Sequence, residues 1–142
     1  GKELYNGQWG MRYFSNWYWD KQWNSKWRTI LGFDAGMQTD VTDNDSKLFW
    51  MSPVMMVQYT FTPKWQTAFR AEYYQDKDNV IITTEDSFKT LGISFNIDYI
   101  INDKVKFRTE VRQLNSQEKV FVKEASLTNN NFYITTSLAF EF

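Results

Sequence analysis

Residues 129–142 read NNNFYITTSLAFEF, and the period of this stretch decides how the whole chain is read. On an extended strand Phe132, Ile134, Thr136, Leu138, Phe140 and Phe142 share one face, while Tyr133, Thr135, Ser137, Ala139 and Glu141 share the other. One face is apolar and ends on an aromatic ring at the last residue, where soluble domains usually fray into polar residues.

The same alternation recurs upstream. In 105–114 (VKFRTEVRQL) Val105, Phe107, Thr109 and Val111 oppose Lys106, Arg108, Glu110 and Arg112. In 90–100 Leu91, Ile93, Phe95, Ile97 and Tyr99 oppose Gly92, Ser94, Asn96 and Asp98, and in 65–74 Trp65, Thr67, Phe69, Ala71 and Tyr73 oppose Gln66, Ala68, Arg70, Glu72 and Tyr74. Residues 26–38 keep the pattern with Ile30 out of place, and 8–19 keep it except at Phe14 and Ser15. The segment 48–62 is the weakest, because Trp50, Val54 and Met56 make its polar face partly apolar. Pro53 lacks a ladder donor, which places it near a strand end or at a bulge. The expectation is an all-β, antiparallel architecture over 1–142, read as one domain or a segment of one, with about seven strands of roughly 10–15 residues. Strands of that length exceed the ~5–6 residues usual in soluble sheets and suffice to cross a bilayer at a tilt.

Composition excludes several function classes. The 142 residues contain no Cys and no His, which removes disulfides, thiolate clusters, the commonest metal ligand and the commonest general base. Sixteen Lys and Arg against seventeen Asp and Glu leave a formal charge of −1, too little positive charge for a nucleic-acid partner. Aromatic residues make up 19% of the chain, more than a core of this size requires. Average hydropathy is on the polar side, but in a transmembrane barrel only alternate residues face lipid, so the average conceals one apolar face.

Connections sort by length. DKQWNS, TPK and NDK are short, whereas TDVTDNDS, QDKDNVIITTED and NSQEKVFVKEASLTNN are long and polar, and they alternate along the chain. Trp17, Trp19, Trp27, Tyr59, Phe61, Trp65, Tyr99, Phe140 and Phe142 crowd the strand ends beside the short turns, as an interfacial aromatic girdle does. Together these features favour an antiparallel transmembrane β-barrel.

A terminal strand with apolar residues at alternate positions, here Phe132, Ile134, Leu138, Phe140 and Phe142, resembles the assembly signal of bacterial outer-membrane proteins. From about Lys64 to Leu114, WQTAFRAEYYQDKDN and FNIDYIINDKVKFRTEVRQLNS resemble the closing strands of OmpL-like porins of Bacteroidetes-type bacteria. The resemblance implies a bacterial outer-membrane location, passive diffusion of small polar solutes, no enzymatic activity and no cofactor. It implies as partners outer-membrane lipid, lipopolysaccharide and the barrel-assembly machinery. With the last strand running to the periplasm, the first runs the same way. About seven strands with GKELYNG too short to add another suggest the C-terminal part of a larger barrel, its remaining strands supplied upstream or by another chain; a single polypeptide of about eight strands is the alternative.

If apolar faces point outward, the lumen receives Arg12, Arg28, Asp34, Arg70, Glu72, Asp98, Lys106, Arg108, Glu110 and Arg112, with Glu141 at the end. The group Lys106, Arg108, Glu110 and Arg112 with Arg70 and Glu72 is the candidate constriction, against the alternative of salt bridges that merely satisfy a polar interior. Glu72 and Glu110 are poor candidates for a catalytic pair, since neighbouring arginines hold both ionised. Asp40, Asp43 and Asp45 fit no EF-hand spacing and read as a solvated acidic loop; Met51, Met55 and Met56 read as packing. No metal site is expected. Two rival readings stand: a soluble lipid-binding barrel of the lipocalin or fatty-acid-binding type, with the aromatic face inside, and a non-conducting structural outer-membrane barrel.

Overall fold

The computed structural model describes residues 1–5, 8–40, 46–84 and 87–141. All regular structure in them is β. The strands are β1 (Lys2–Tyr5), β2 (Gln8–Gln22), β3 (Trp27–Asp40), β4 (Ser46–Thr62), β5 (Trp65–Asp76), β6 (Phe88–Asn102), β7 (Val105–Ser116), β8 (Phe121–Lys123), β9 (Ser126–Thr128) and β10 (Asn130–Phe140). One antiparallel sheet runs β1-β2-β3-β4-β5-β6-β7-β10, and β8 and β9 form a separate two-stranded hairpin within the last long connection. Seven of the eight sheet strands have 11 to 17 residues, enough for a bilayer crossing. The sheet is not closed: among the described residues no pairing joins β10 to β1 or β2.

Side-chain oxygens set the tight turns. Asn24 Oδ1 accepts from the backbone N–H groups of Lys26 (2.9 Å) and Trp27 (3.0 Å). Thr62 Oγ1 accepts from Lys64 (3.3 Å) and Trp65 (3.2 Å), and Asn102 Oδ1 from Lys104 (2.9 Å). Each turn thus opens on a residue that mimics a backbone carbonyl, the usual use of Asn and Thr there. The pairing register slips by one residue at Phe61 and again at Ile101, just before two of these turns. Each slip is a bulge that leaves an apolar side chain at the short-turn rim. Ring pairs line the same rim, with Trp27 and Tyr59 centroids 4.6 Å apart, Tyr59 and Phe61 4.9 Å, and Trp65 and Tyr99 4.8 Å.

The faces are sorted in the opposite sense to a soluble protein. Along β6, Ile93, Phe95 and Ile97 are 40–44% exposed, while their neighbours Ser94, Asn96 and Asp98 are 3–8% exposed. Among the described residues no second sheet or helix packs over this sheet, and its polar face is buried where the sheet curls around it. The polar face is concave and the apolar face convex. Cross-strand register carries the division across the sheet: Val57, Phe69, Phe95, Val111 and Ile134 form one convex row, and Met56, Arg70, Ser94, Arg112 and Tyr133 the neighbouring concave one. Among the described residues only Leu48 and Trp50 are buried apolar side chains.

Three readings of the local sequence are corrected. Pro53 lies inside central strand β4, at neither an end nor a bulge; it pairs with Phe33 of β3, while the ladder to β5 lapses at Ser52 and Pro53 and resumes in unchanged register at Val54. A missing N–H is tolerated there because only the β5 side of the strand is interrupted. Lys2–Tyr5, within the short N-terminal segment, does form a strand, pairing with Gln8–Met11, but at four residues it is far too short to cross a bilayer. The connection 115–130 is not simply a loop, since it contains the β8–β9 hairpin, turned through Glu124 and Ala125 at positive φ.

Candidate functional site

The concave face collects the charged residues. Even-numbered positions of β2 to β7 point inward, so Arg12, Arg28, Asp34, Arg70, Glu72, Asp98, Lys106, Arg108, Glu110 and Arg112 all lie on it. The structure divides them into distinct groups.

The first group centres on Asp98, which is buried. Arg108 holds it in a two-point fork, Nε to Oδ1 at 2.7 Å and Nη2 to Oδ2 at 2.8 Å. Lys106 Nζ stands 3.7 Å from Oδ2, and Asn96 Nδ2 donates to Oδ1 at 2.7 Å. Paired, fork-like donation satisfies a buried carboxylate with defined geometry. The second group centres on Glu72, which takes an ion pair from Arg70 on its own strand and another from Arg112 two strands away. Gly92 makes room for it. A Cβ there would stand 2.7 Å from Glu72 Oε1 and 3.0 Å from Leu114 Cδ2, so any side chain would require Glu72 to shift.

Farther along the sheet, Arg28 binds Asp20, with Nε to Oδ1 at 2.8 Å, and Asn16 donates to Asp34. Arg12 donates through Nε to Gln38 Oε1 at 2.7 Å and lies 5.5 Å from the Trp50 ring centroid, within cation–π range. Trp50 in turn covers Gly36, where a Cβ would overlap the indole. Among the described residues Glu110, like Asp34, has no ion pair within 4 Å, whereas Asp20, Glu72 and Asp98 each have one or two.

Period reading placed Asp20 in a turn and Asp76 in a loop, and so passed over both. Strand β2 continues to Gln22, which puts Asp20 in register with Ile30 and one step from Arg28. Asp76, the last residue of β5, is fully buried and accepts the backbone N–H groups of Val80 (2.9 Å), Ile81 (2.7 Å) and Ile82 (2.9 Å). Continuing the Arg70, Glu72, Tyr74 parity by one step finds Asp76. Through these bonds the start of the connection folds back on the concave side, where Ile82 joins Tyr74, Phe88 and Leu114 in lining a hollow. Asp43 and Asp45 lie outside the described residues. Among the described residues no three His, Cys, Asp or Glu side chains are placed to hold a metal ion.

On β10, Phe132, Ile134, Leu138 and Phe140 are exposed on the convex side; Phe142 lies outside the described residues. An inside-out sheet of bilayer-length strands agrees with the comparison to known families, in which the model described as "Putative beta-barrel porin-2, OmpL-like" matches residues 2–142. The chain belongs to this OmpL-like β-barrel porin family. No curated protein and no solved structure matches the chain. Membership accounts for the long antiparallel strands and the apolar convex surface, both of which an outer-membrane barrel porin requires.

Proposed function

We propose that the chain forms wall of a bacterial outer-membrane channel through which small polar solutes diffuse passively, with no catalytic step. The observation that carries this reading is the inverted burial on β6: charged and amide side chains line the concave face while rings and aliphatic chains cover the convex one. A lipid-binding soluble barrel would need its aromatic face inside, the reverse of this arrangement. In this reading the ten charged residues named above face water in the lumen, and the convex residues meet lipid and, in the outer leaflet, lipopolysaccharide.

The outer edges of β2 and β10 carry backbone groups that lipid cannot satisfy, each at a cost of several kcal/mol. Further strands of the same barrel therefore cover them in the membrane, and the alternating apolar residues of β10 with Phe142 serve as the signal read by the assembly machinery. The test is reconstitution of the natively extracted polypeptide into planar bilayers. Stepwise conductance supports the channel. Stable insertion with no steps would show a structural barrel instead, and full solubility without detergent would end the membrane reading.

A further inference from the structure

The concave wall holds a recess of about 210 Å³. Arg28, Arg70, Arg108 and Glu110 line it together with Ile30 and Met56. We propose that this recess is a selectivity site for small anions, and best for those with a short apolar body such as a short-chain monocarboxylate. The proposal rests on the channel reading and names the class of solute it favours.

Charge sets the sign. Glu72 is shared by Arg70 and Arg112, and Asp98 by Lys106 and Arg108, so each carboxylate leaves one cationic charge uncompensated. Arg28 and Asp20 balance one another. Glu110 is the remaining carboxylate, so five cations face four anions around the recess. Arg70 also keeps a buried Nε–H with no acceptor among the described residues. The other concave acids lie far away along the strands. Asp34 is four residues from the Ile30 row, and Asp76 is six from Arg70, separations of roughly 13 and 20 Å at ~3.3 Å per residue. Glu141 is four residues beyond Ser137, the partner of Arg108, again roughly 13 Å. All exceed the ~8 Å screening length of physiological salt, so the local excess governs the recess.

Size and shape set the rest. At about 30 Å³ per water the recess holds roughly seven water volumes, which suits a solute of about four to six non-hydrogen atoms. Ile30 and Met56, which break the polar pattern of β3 and β4, supply an apolar side against the guanidinium groups. A carboxylate joined to a short alkyl chain matches both halves; a hydrated cation matches neither.

The test uses the full natively extracted polypeptide in planar bilayers under a potassium chloride gradient. One uncompensated charge at hydrated contact distance predicts chloride over potassium by about three- to tenfold. Glu110→Gln should raise that ratio and Arg70→Gln lower it. Glu110 makes no ion pair among the described residues, so its variant keeps the test available should Arg70→Gln fail to assemble. Added potassium butanoate should reduce chloride current more than gluconate at equal concentration. Conductance steps with a ratio at or below one, unmoved by Glu110→Gln, would overturn the anion site and leave the channel standing. Equal effects of butanoate and gluconate would remove the apolar half of the proposal, and inserted protein without steps would remove the channel and this inference with it.

Discussion

Replacing Phe95 by Arg tests the assignment of faces most directly. Phe95 is the middle residue of β6, and its ring is 44% exposed on the convex side, in register with Phe69 and Val111. On a soluble protein an exposed Phe→Arg change falls within about ±0.5 kcal/mol. At the midplane of a bilayer the same guanidinium costs about 2–4 kcal/mol, falling to about 0–1 near the interface. At about 1.4 kcal/mol per factor of ten, the midplane cost reduces the folded-to-unfolded ratio roughly 30- to 700-fold. Phe107 supplies an internal depth gauge. It lies four residues along β7 from Val111, the partner of Phe95, or about 9 Å along the membrane normal at ~45° tilt. That is near the edge of an apolar band ~25 Å tall, so Phe107→Arg should damage assembly but cost roughly 1 kcal/mol. Thr135 is the opposite-face control: it pairs with Glu110, which has no ion pair among the described residues, so Thr135→Arg should be neutral or slightly stabilising. The measurement is urea-driven unfolding of the full polypeptide from lipid vesicles. Equal costs for Phe95→Arg and Thr135→Arg would refute the assignment of faces, and equal costs for Phe95→Arg and Phe107→Arg would refute the depth.

Three further changes probe other parts of the wall. Asp76→Ala strips the acceptor from three backbone N–H groups, so amide exchange at Val80, Ile81 and Ile82 should accelerate while strand amides stay protected, at a stability cost of about 2 kcal/mol. Gly36→Ala drives a methyl group into the Trp50 indole and should destabilise by about 1–3 kcal/mol in the same vesicle assay, with a shift in Trp fluorescence. Arg108→Glu turns the Asp98 group from cation-rich to anion-rich, and the chloride-to-potassium permeability ratio should invert without loss of insertion.

Period two was enough to separate the faces of β6 and β7, because each residue's side of a strand depends only on its own parity. It could not pair residues across strands. Arg112 reaches Glu72 through a register fixed by two intervening hairpins, and no local pattern in either segment announces that meeting. Asp20 escapes the alternation because DKQWNS reads as polar turn chemistry throughout, whereas the strand runs to Gln22 and the turn itself lies between Trp23 and Trp27. Pro53 misled for a physical reason: its missing N–H argues against a central strand, but a ladder can lapse on one side and resume in register. The anchoring role of Asp76 depends on a fold-back of the chain after β5, which alternation cannot describe.

Sharing Asp98 and Glu72 each between two cations has a consequence for how such a surface can change over generations. A buried carboxylate stripped of its only counter-ion costs about 3–5 kcal/mol, which would make most charge substitutions lethal to assembly. Asp98 and Glu72 each keep a second cation when one is lost. A single substitution at Arg70, Lys106, Arg108 or Arg112 can therefore alter the charge of the wall by one unit without stranding an anion. Redundant pairing lets the preference of the wall drift stepwise, while the structure that carries it remains intact.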